Sequence, residues 1–223
     1  MLRMRLGRTT PVSFPWIGPS RTMLWWRMSE PDLFQEVPEF PVLRTKRLVL
    51  RELREEDAAA AFRLFSDPEV MRYVGKAVNV DIAEALTFVR TSRDQYPARA
   101  GVRWAITLRE DDQLIGSCGH WRLMKEHRRS EIGYDLLRSH WGRGLMAEAL
   151  HAILAFGFTR MGLHSVEAQI DPDNRRSHQV LERVGFQKDG LLRENFYYAG
   201  RYFDTAVFTL LAAEHRPPAH EAA

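Results

Sequence analysis

The chain has 223 residues, of which 45% are hydrophobic, 11% aromatic and 27% charged, and its formal net charge is +3. This length suits one full domain, and this composition excludes wholesale disorder, collagen and coiled coil. Residues 1–27 hold five arginines and no acid, so residues 28–223 carry a formal charge of −2. The positive charge therefore lies outside the body of the chain, and we expect no nucleic-acid partner.

The single cysteine, Cys118, cannot form an intramolecular disulfide, and no group of Cys and His residues has zinc-site spacing. We therefore expect no metal and a reducing, cytoplasmic location. No stretch approaches about 18 uncharged apolar residues, so we expect no membrane-spanning helix.

The ends of the chain differ from its middle. Residues 1–42 are predicted to be a poorly ordered N-terminal extension and linker, residues 43–213 one domain, and residues 214–223 a disordered tail. Residues 1–27 lack the continuous apolar core of a signal peptide. Met28 opens a more typical protein start, MSEPDLF, which favours an upstream extension over an organelle transit segment.

The first predicted elements are a strand and two helices. Arg47 to Leu53 alternates polar and apolar side chains and predicts a half-buried strand. Asp57 is expected to cap an Ala-rich helix that ends at Asp67-Pro68. Asp81 and Glu84 have capping-box spacing and predict a second helix. The expected apolar face of that helix comprises Ile82, Leu86, Val89 and Tyr96.

Three strands are predicted next, at Val102 to Leu108, Leu114 to Leu123 and Glu131 to Leu137. The acidic turn at 110–112 between the first two indicates an antiparallel hairpin. Trp104 and Trp121, both within these strands, are expected in the core.

The pattern then alternates between helices and strands. Helical spacing from Met146 to Met161 precedes a strand at Ser165 to Ile170, and a short helix from Asn174 to Val184 is expected to end at Gly185. Two final strands are predicted at 191–195 and 205–211. Antiparallel strands followed by strand–helix–strand units indicate an α+β domain with a mixed sheet and helices on its faces.

The segment EIGYDLLRSHWGRGLMAE, residues 131–148, runs from a strand through a glycine loop into a helix. Gly142 and Gly144 would let a ligand approach the backbone, and the N–H groups at the helix start suit a pyrophosphate. The alternative is that both glycines only form a tight turn. A rival pattern is G-x-G-x-x-A, completed by Ala147 and followed by Glu167, which would indicate a dinucleotide site. The preceding antiparallel strands argue against that interpretation.

The segment DPDNRRSHQVLERVGF, residues 171–186, places Ser177 on the inward face of a helix together with Leu181 and Val184. A hydroxyl there needs a hydrogen-bond partner or a chemical role. The alternative is that Asn174 caps the helix, with Ser177 in its first turn.

Together these segments resemble the GNAT superfamily of acyl-CoA-dependent N-acetyltransferases, in its RimJ/RimL-like branch. The matching pieces are RTKRLVLREL (44–53), LIGSCG (114–119), EIGYDLLRSHWGRGLMAEAL (131–150), NRRSHQVLERVGF (174–186) and GLLRENFYYAGRYFDTAVFTLL (190–211). Their order and spacing agree over about residues 44–211.

The resemblance implies a splayed, mostly antiparallel seven-stranded sheet with about four helices. Acetyl-CoA would lie in the opening between the strand at 131–137 and the strand at 165–171. Asp135, Leu136 and Leu137 would pair with the pantetheine through their main chain, and Asn174 would bind it too. The pyrophosphate would be held by Trp141, Gly142, Arg143, Gly144, Leu145, Met146 and Ala147. Trp141 and Met146 depart from the superfamily's Q/R-x-x-G-x-G/A pattern.

Acetyl transfer needs a neutral amine, a stabilised oxyanion and a protonated leaving thiol. The resemblance makes Glu131 the candidate base, the alternative being an ion pair with Arg128 or Arg129, and His120 is the reserve candidate. Many family members use a Tyr as the thiol acid where this chain has Leu181. Ser177 matches the Ser that members of this branch carry at this point, so the resemblance makes it the candidate acid, directly or through water.

The resemblance thus implies an N-acetyltransferase that moves the acetyl group of acetyl-CoA to a primary amine, either a protein N-terminus or a small molecule. Two alternatives are a non-catalytic acyl-CoA-binding protein and a nicotinamide-binding oxidoreductase. Whether the chain forms a homodimer stays open. Late aromatic residues would either line an acceptor pocket or pack internally; these are Phe196, Tyr197, Tyr198, Tyr202 and Phe203.

Overall fold

The computed structural model describes residues 31–35 and 37–216, and the expectations for residues 1–30 and 217–223 lie outside it. The strands are β1 Leu43–Arg44, β2 Leu48–Glu52, β3 Val102–Leu108, β4 Asp111–Met124, β5 Arg129–Leu136, β6 Ser165–Ile170, β7 Gln187–Tyr198 and β8 Arg201–Leu211. The helices are α1 Ala58–Phe65, α2 Pro68–Met71, α3 Ile82–Asp94, α4 Leu145–Thr159 and α5 Arg175–Arg183.

The described strands form one sheet in the order β1-β2-β3-β4-β5-β6-β8-β7. Neighbouring strands are antiparallel except β5 and β6, which are parallel. The expected mixed, mostly antiparallel sheet is therefore confirmed. The described residues form eight strands and five helices, one more of each than expected. The additional β1 has two residues and the additional α2 has four, which is too short for a hydrophobic period to show in the sequence.

The sheet opens between β5 and β6. The two strands pair at three positions, ending at Glu131 and Glu167, whereas β5 runs on to Leu136 and β6 to Ile170. Beyond Glu131, β5 is paired on its β4 side alone, and this pairing continues to Leu136. One edge of β5 is thus left without a strand partner among the described residues, as the resemblance implied.

Two groups of helices cover opposite faces of the sheet. Helices α4 and α5 pack on one face, where Trp104 and Ile106 of β3 and Ile132 and Leu136 of β5 are buried. Helices α1 and α3 cover β3 and β4 on the other face, where Ala105 is buried. Each fully buried large side chain contributes about 1.5–3 kcal/mol, so these two clusters hold the strands around the opening.

Several local predictions are refined by side-chain geometry. Asp57 occupies the N-cap position of α1, but its carboxylate accepts hydrogen bonds from the Arg51 guanidinium and the Arg54 N–H instead. At α3, Asp81 caps through the N–H of Ala83. The inward stripe of α3 is Ala85, Val89 and Ser92. Of the expected apolar face, Val89 and Tyr96 are buried, whereas Ile82 is half exposed.

The described part of the expected linker packs against the domain. Leu33, Phe34 and Val37 are buried, and the Tyr96 hydroxyl donates to the carbonyl of Val37 at 2.5 Å. The indole of Trp104 donates to the carbonyl of Pro41 at 2.6 Å. These residues carry no helical or strand period, so their burial was not readable from the sequence.

Candidate active site

The open edge of β5 offers main-chain groups to a ligand. The N–H of Leu137 donates to the carbonyl of Ile115 on β4 at 2.8 Å. Because N–H and C=O groups of successive strand residues point to opposite edges, those of Tyr134 and Leu136 face the opening. Leu136 is thus the member of the predicted trio whose N–H can meet a ligand there, while Leu137 bonds within the sheet.

The side chain of Asp135, to which the resemblance gave no role, is held within the sheet. Its carboxylate accepts from the N–H and hydroxyl of Ser117 and pairs with the Arg103 guanidinium. Burial raises the pKa of Asp135, and Arg103 and Ser117 oppose the rise. The Asp135 side chain therefore ties β5 to β3 and β4 rather than facing the opening.

The predicted pyrophosphate loop enters helix α4 through two glycines with left-handed backbone. Gly142 has φ 73° and Gly144 has φ 74°, a region that favours glycine. No described atom lies within 4 Å of where a Cβ of Gly142 would stand, so the loop is open on that side. Gly144 is the N-cap of α4, and no described side chain caps the N–H groups of the first turn. The loop thus presents unpaired N–H groups to an anion.

Arg47 and Glu148 hold this loop from behind. The Arg47 Nε donates to Glu148 Oε2 at 2.7 Å, and Arg47 Nη1 donates to the carbonyl of Arg143 at 2.9 Å. The hydroxyl of Thr45 donates to Glu148 Oε1 at 2.6 Å. Burial raises the pKa of Glu148, but these hydrogen bonds outweigh it and lower the pKa. The start of β2 therefore fixes the loop's conformation.

The side chains of Trp141 and Met146, the two positions that depart from the family pattern, both leave the loop open to a ligand. The Trp141 indole donates to the carbonyl of Leu136 at 2.8 Å, and the Arg176 guanidinium stacks over its ring at 4.3 Å. Leu145, Met146 and Ala147 are buried in the core. Because the Met146 side chain points inward, it does not obstruct the loop.

Asn174 and Ser177 meet at the start of α5. Asn174 Oδ1 accepts from the main-chain N–H of Ser177 at 3.1 Å, so Asn174 is the helix cap. This bond uses the Ser177 backbone and leaves its hydroxyl out of the cap. The capping interpretation and a role for the Ser177 hydroxyl are therefore compatible.

Glu131 is a buried carboxylate on the opposite face of β5 from α5. Its Oε2 accepts from Arg122 Nη1 at 3.0 Å, so its ion-pair partner is neither Arg128 nor Arg129. Burial raises the pKa of Glu131, Arg122 opposes the rise, and the nearby charge of Glu167 adds to it. A carboxylate with a raised pKa is a stronger proton acceptor than an exposed one.

Two other candidate groups belong to the core. His120 is buried with Nδ1 2.9 Å from Ser130 Oγ and Nε2 2.9 Å from the carbonyl of Ile153, and burial lowers its pKa to about 4. Both ring nitrogens are thus occupied, so His120 cannot reach an acceptor. Cys118 is fully buried, and burial raises the pKa of its thiol far above the ordinary value, which removes it as a nucleophile.

The late aromatic residues lie on the β7–β8 hairpin. Tyr197 and Tyr202 are each 62% exposed, and Phe196 lies against Gly75 in the segment between α2 and α3. Trp104 is fully buried, as expected, whereas Trp121 is 37% exposed beside Glu131. Trp121 therefore lines the Glu131 face of the sheet rather than the core.

Sequence reasoning missed Arg122 and Tyr134. Arg122 has a left-handed φ of 45° within a β-bulge, which disturbs the alternation of β4 and turns its side chain to Glu131. Tyr134 carries a buried hydroxyl with no hydrogen-bond partner among the described residues. The periodicity of an apolar strand gives no signal for either feature.

The fold and this site fit a CoA thioester. An open strand edge can pair with the amides of a pantetheine arm, and the uncapped start of α4, with Arg143 in the loop, suits a pyrophosphate. No described residues form a metal cluster, and no described helix is long and apolar enough to cross a membrane. The open strand edge and the uncapped helix start are together what an acyltransferase that uses a CoA thioester requires.

Comparisons with known proteins also indicate an acyltransferase. The Acetyltransferase (GNAT) domain family matches residues 47–187. The uncharacterized N-acetyltransferase YoaA of Bacillus subtilis (strain 168) is 38% identical over 172 residues, which cover 77% of this chain and 97% of YoaA. N-acetyltransferase p20 of Bacillus licheniformis is 38% identical over 173 residues, covering 78% of this chain and 97% of p20.

Among solved structures, Mycobacterium smegmatis RimJ in complex with CoA-disulfide is similar with a TM-score of 0.69 and 25% identity, covering 78% of this chain and 87% of RimJ. The chain belongs to the GNAT acetyltransferase family and is an acyltransferase. The dinucleotide interpretation also loses its structural basis, because β5 and β6 form one parallel pair and Glu167 is paired with Arg129 at 2.8 Å.

Proposed function

We propose that this protein transfers the acetyl group of acetyl-CoA to a primary amine by direct attack, without a covalent enzyme intermediate. The observation that carries the proposal is the open edge of β5, which ends at the uncapped start of α4 on one side and has the buried Glu131 on the other. This arrangement supports a thioester lying along β5 with an amine arriving from the Glu131 face.

Glu131 takes the proton of the attacking amine. An alkyl ammonium with a pKa near ~10 is mostly charged at pH 7 and does not attack, so a base is required. Burial raises the pKa of Glu131 toward the range in which a carboxylate can accept this proton. The exposed Arg122 can swing away from Glu131 when the amine enters, because 59% of its side chain is in contact with solvent.

The N–H of Leu136 meets the oxyanion that develops on the thioester carbonyl. It points into the opening and is fixed by the sheet, so it needs no rearrangement during the reaction. The carbonyl of the same residue is already held by the Trp141 indole, which fixes this peptide unit further. Ser177, at the start of α5, supports the protonation of the leaving thiol.

The acceptor is a protein N-terminus or a small amine. Direct attack is favoured over a covalent intermediate because the one cysteine, Cys118, is buried in the core. The proposed donor is acetyl-CoA, held by Trp141 to Ala147 and by Asn174, as the resemblance implied.

Calorimetry and a thiol-release screen test the proposal. We expect acetyl-CoA to bind and NADH not to bind. In the screen, acetyl-CoA is offered with peptides that begin with Ala, Ser or Thr, with polyamines, with amino sugars and with amino acids, and mass spectrometry locates the acetyl group. Binding of acetyl-CoA without transfer to any amine would favour a non-catalytic acyl-CoA-binding protein. Binding of NADH but not acetyl-CoA would refute the proposal.

A further inference from the structure

The hydroxyl of Tyr134 is a buried polar atom that makes no hydrogen bond of ordinary length and angle to the described residues, and the Ser177 side chain is a polar group near it. Tyr134 lies on β5 between Ile132 and Leu136, whose side chains are in the core beneath α4. A buried hydroxyl without a strong hydrogen bond destabilises the folded state, and a phenylalanine would avoid this cost. A tyrosine here is therefore explained best by a partner that binds from outside.

The position of Tyr134 indicates where that partner would lie. It is three residues beyond the last pair of β5 with β6, so it stands at the open edge. Its side chain points to the face covered by α5, and the Ser177 side chain lies close enough to lower its pKa against the effect of burial. Leu181, one turn further along α5, is fully buried and brings no hydroxyl to this place.

The two faces of β5 thus carry different chemistry. Side chains of a strand alternate between faces, so Glu131 and Tyr134, three positions apart, lie on opposite faces of the sheet. A thioester at the open edge would have a base on one face and a hydroxyl on the other. An incoming amine and a leaving thiol need this arrangement, because one loses a proton and the other gains one.

We propose that Tyr134 is a catalytic residue that donates its hydroxyl proton to the leaving sulfur of CoA, with Ser177 returning a proton to it. This role rests on the proposed function. The amine nitrogen bonds to the carbonyl carbon and gives a proton to Glu131. The C–S bond then breaks, the sulfur leaves with the electron pair, and it takes the proton of Tyr134. Ser177 passes its proton to the phenolate and regains one from a water molecule, and the hydroxide that remains is neutralised by the proton that Glu131 releases to solvent.

The electrostatics of the site suit a donor. Burial raises the pKa of Tyr134 to about 12, with Ser177 acting in the opposite direction. The phenol therefore stays protonated at neutral pH and is always in its donating form. The hydrogen-bonding capacity of Ser177 stabilises the phenolate during the step in which it forms.

Tyr134→Phe removes this hydroxyl and little else. The assay is thiol release from acetyl-CoA with hydroxylamine, which is uncharged at neutral pH and so needs no deprotonation before it attacks. We expect kcat to fall about 100-fold and KM for acetyl-CoA to stay within twofold, with the melting temperature equal to or above that of the wild type. Tyr73→Phe, at a half-buried tyrosine just after α2, is the matched control and should change none of these values.

A Tyr134→Phe enzyme with turnover within twofold of the wild type would overturn the role. A loss of turnover accompanied by a clearly lower melting temperature would also overturn it, since the hydroxyl would then be structural. Wild-type protein that neither binds acetyl-CoA nor releases thiol would refute the proposed function instead, so the two failures are distinguishable.

A second measurement needs no turnover. The thiol of bound CoA is titrated by the absorbance of its thiolate in both proteins. A hydrogen bond from Tyr134 stabilises the thiolate, so the bound thiol should have a lower pKa in the wild type than in Tyr134→Phe. Equal values would place Tyr134 away from the sulfur and contradict the proposal.

Discussion

Arg122 reaches Glu131 across a β-bulge, and its Nη1 lies 3.0 Å from Glu131 Oε2. The same guanidinium stacks over the Trp121 ring at 4.3 Å. The carboxylate is thus buried, but its counter-ion is exposed and held by few contacts. Arg122 can keep Glu131 ionised while leaving the face open to an incoming cation.

Replacing Arg122 should move the pH dependence of the reaction. Burial raises the pKa of Glu131, and Arg122 lowers it, so Arg122→Gln should raise the pKa of Glu131 further. A base works when deprotonated, so activity is lost as pH falls through its pKa. The acid limb of kcat/KM should therefore shift to higher pH in Arg122→Gln. The control is Arg90→Gln on α3, which breaks an exposed pair with Glu55 and should leave the acid limb unshifted.

Glu131→Gln removes the base and keeps its shape. We expect kcat/KM with an alkyl amine to fall by about 10²–10⁴-fold and the acid limb to disappear. An unchanged pH profile in this variant would remove Glu131 from the mechanism.

Glu148 should determine affinity for the donor. Glu148→Gln breaks its pairing with Arg47, which also holds the carbonyl of Arg143 in the glycine loop. We expect the Kd for CoA, measured by calorimetry, to rise about tenfold, which corresponds to about 1.4 kcal/mol. Glu55→Gln, an exposed ion-pair partner of Arg90, should leave the Kd unchanged. Equal Kd values in all three proteins would show that the loop does not contact CoA.

His120 should make folding stability depend on pH. Its pKa in the folded protein is about 4, below the ordinary value of 6.5, because burial disfavours the charged ring. The unfolded chain binds the proton first, so this contribution to stability is complete above pH 6.5 and is lost as pH falls toward 4. The loss reaches about 3 kcal/mol. Chemical denaturation at several pH values should show this slope in the wild type and a shallower one in His120→Gln, whereas parallel slopes would contradict it.

Replacing Phe34 should show that the segment before β1 is part of the folded domain. Its ring is fully buried and packs against Tyr96 at 5.4 Å between centroids. Phe34→Ala should lower the free energy of unfolding by about 3–5 kcal/mol, because it leaves a cavity. Phe196→Ala, at an aromatic that is 41% exposed, should cost much less. Similar losses in the two variants would refute the difference in packing.

Hydrophobic periodicity was sufficient to predict the bounds of an element where one face of that element is buried. The bounds of β3 and β6 were predicted to the residue, and so was α5, since Asn174 and Val184 are its caps. In each case alternation or helical spacing records a buried face directly. The open edge beside β5 followed from the resemblance, because no local pattern reports which strands stay unpaired.

The rest of the site depends on contacts distant in sequence. Arg47 and Glu148 are 101 positions apart, and the partner of Glu131 is turned toward it by a bulge that breaks the alternation. Met146 departs from the family's loop pattern, but its side chain is buried and therefore does not block the loop. Tyr134 reads as an ordinary apolar strand residue until its hydroxyl is found without a partner.

The short pairing of β5 with β6 also bears on mechanics. Three residue pairs and the path through α4 connect the two parts of the described sheet, so a pantetheine along β5 would extend the ladder as an added strand. Amide hydrogen exchange at Tyr134 and Leu136 should then slow when CoA binds. Binding of the donor would then make the centre of the sheet more rigid, and release of CoA would make it more flexible again in each turnover.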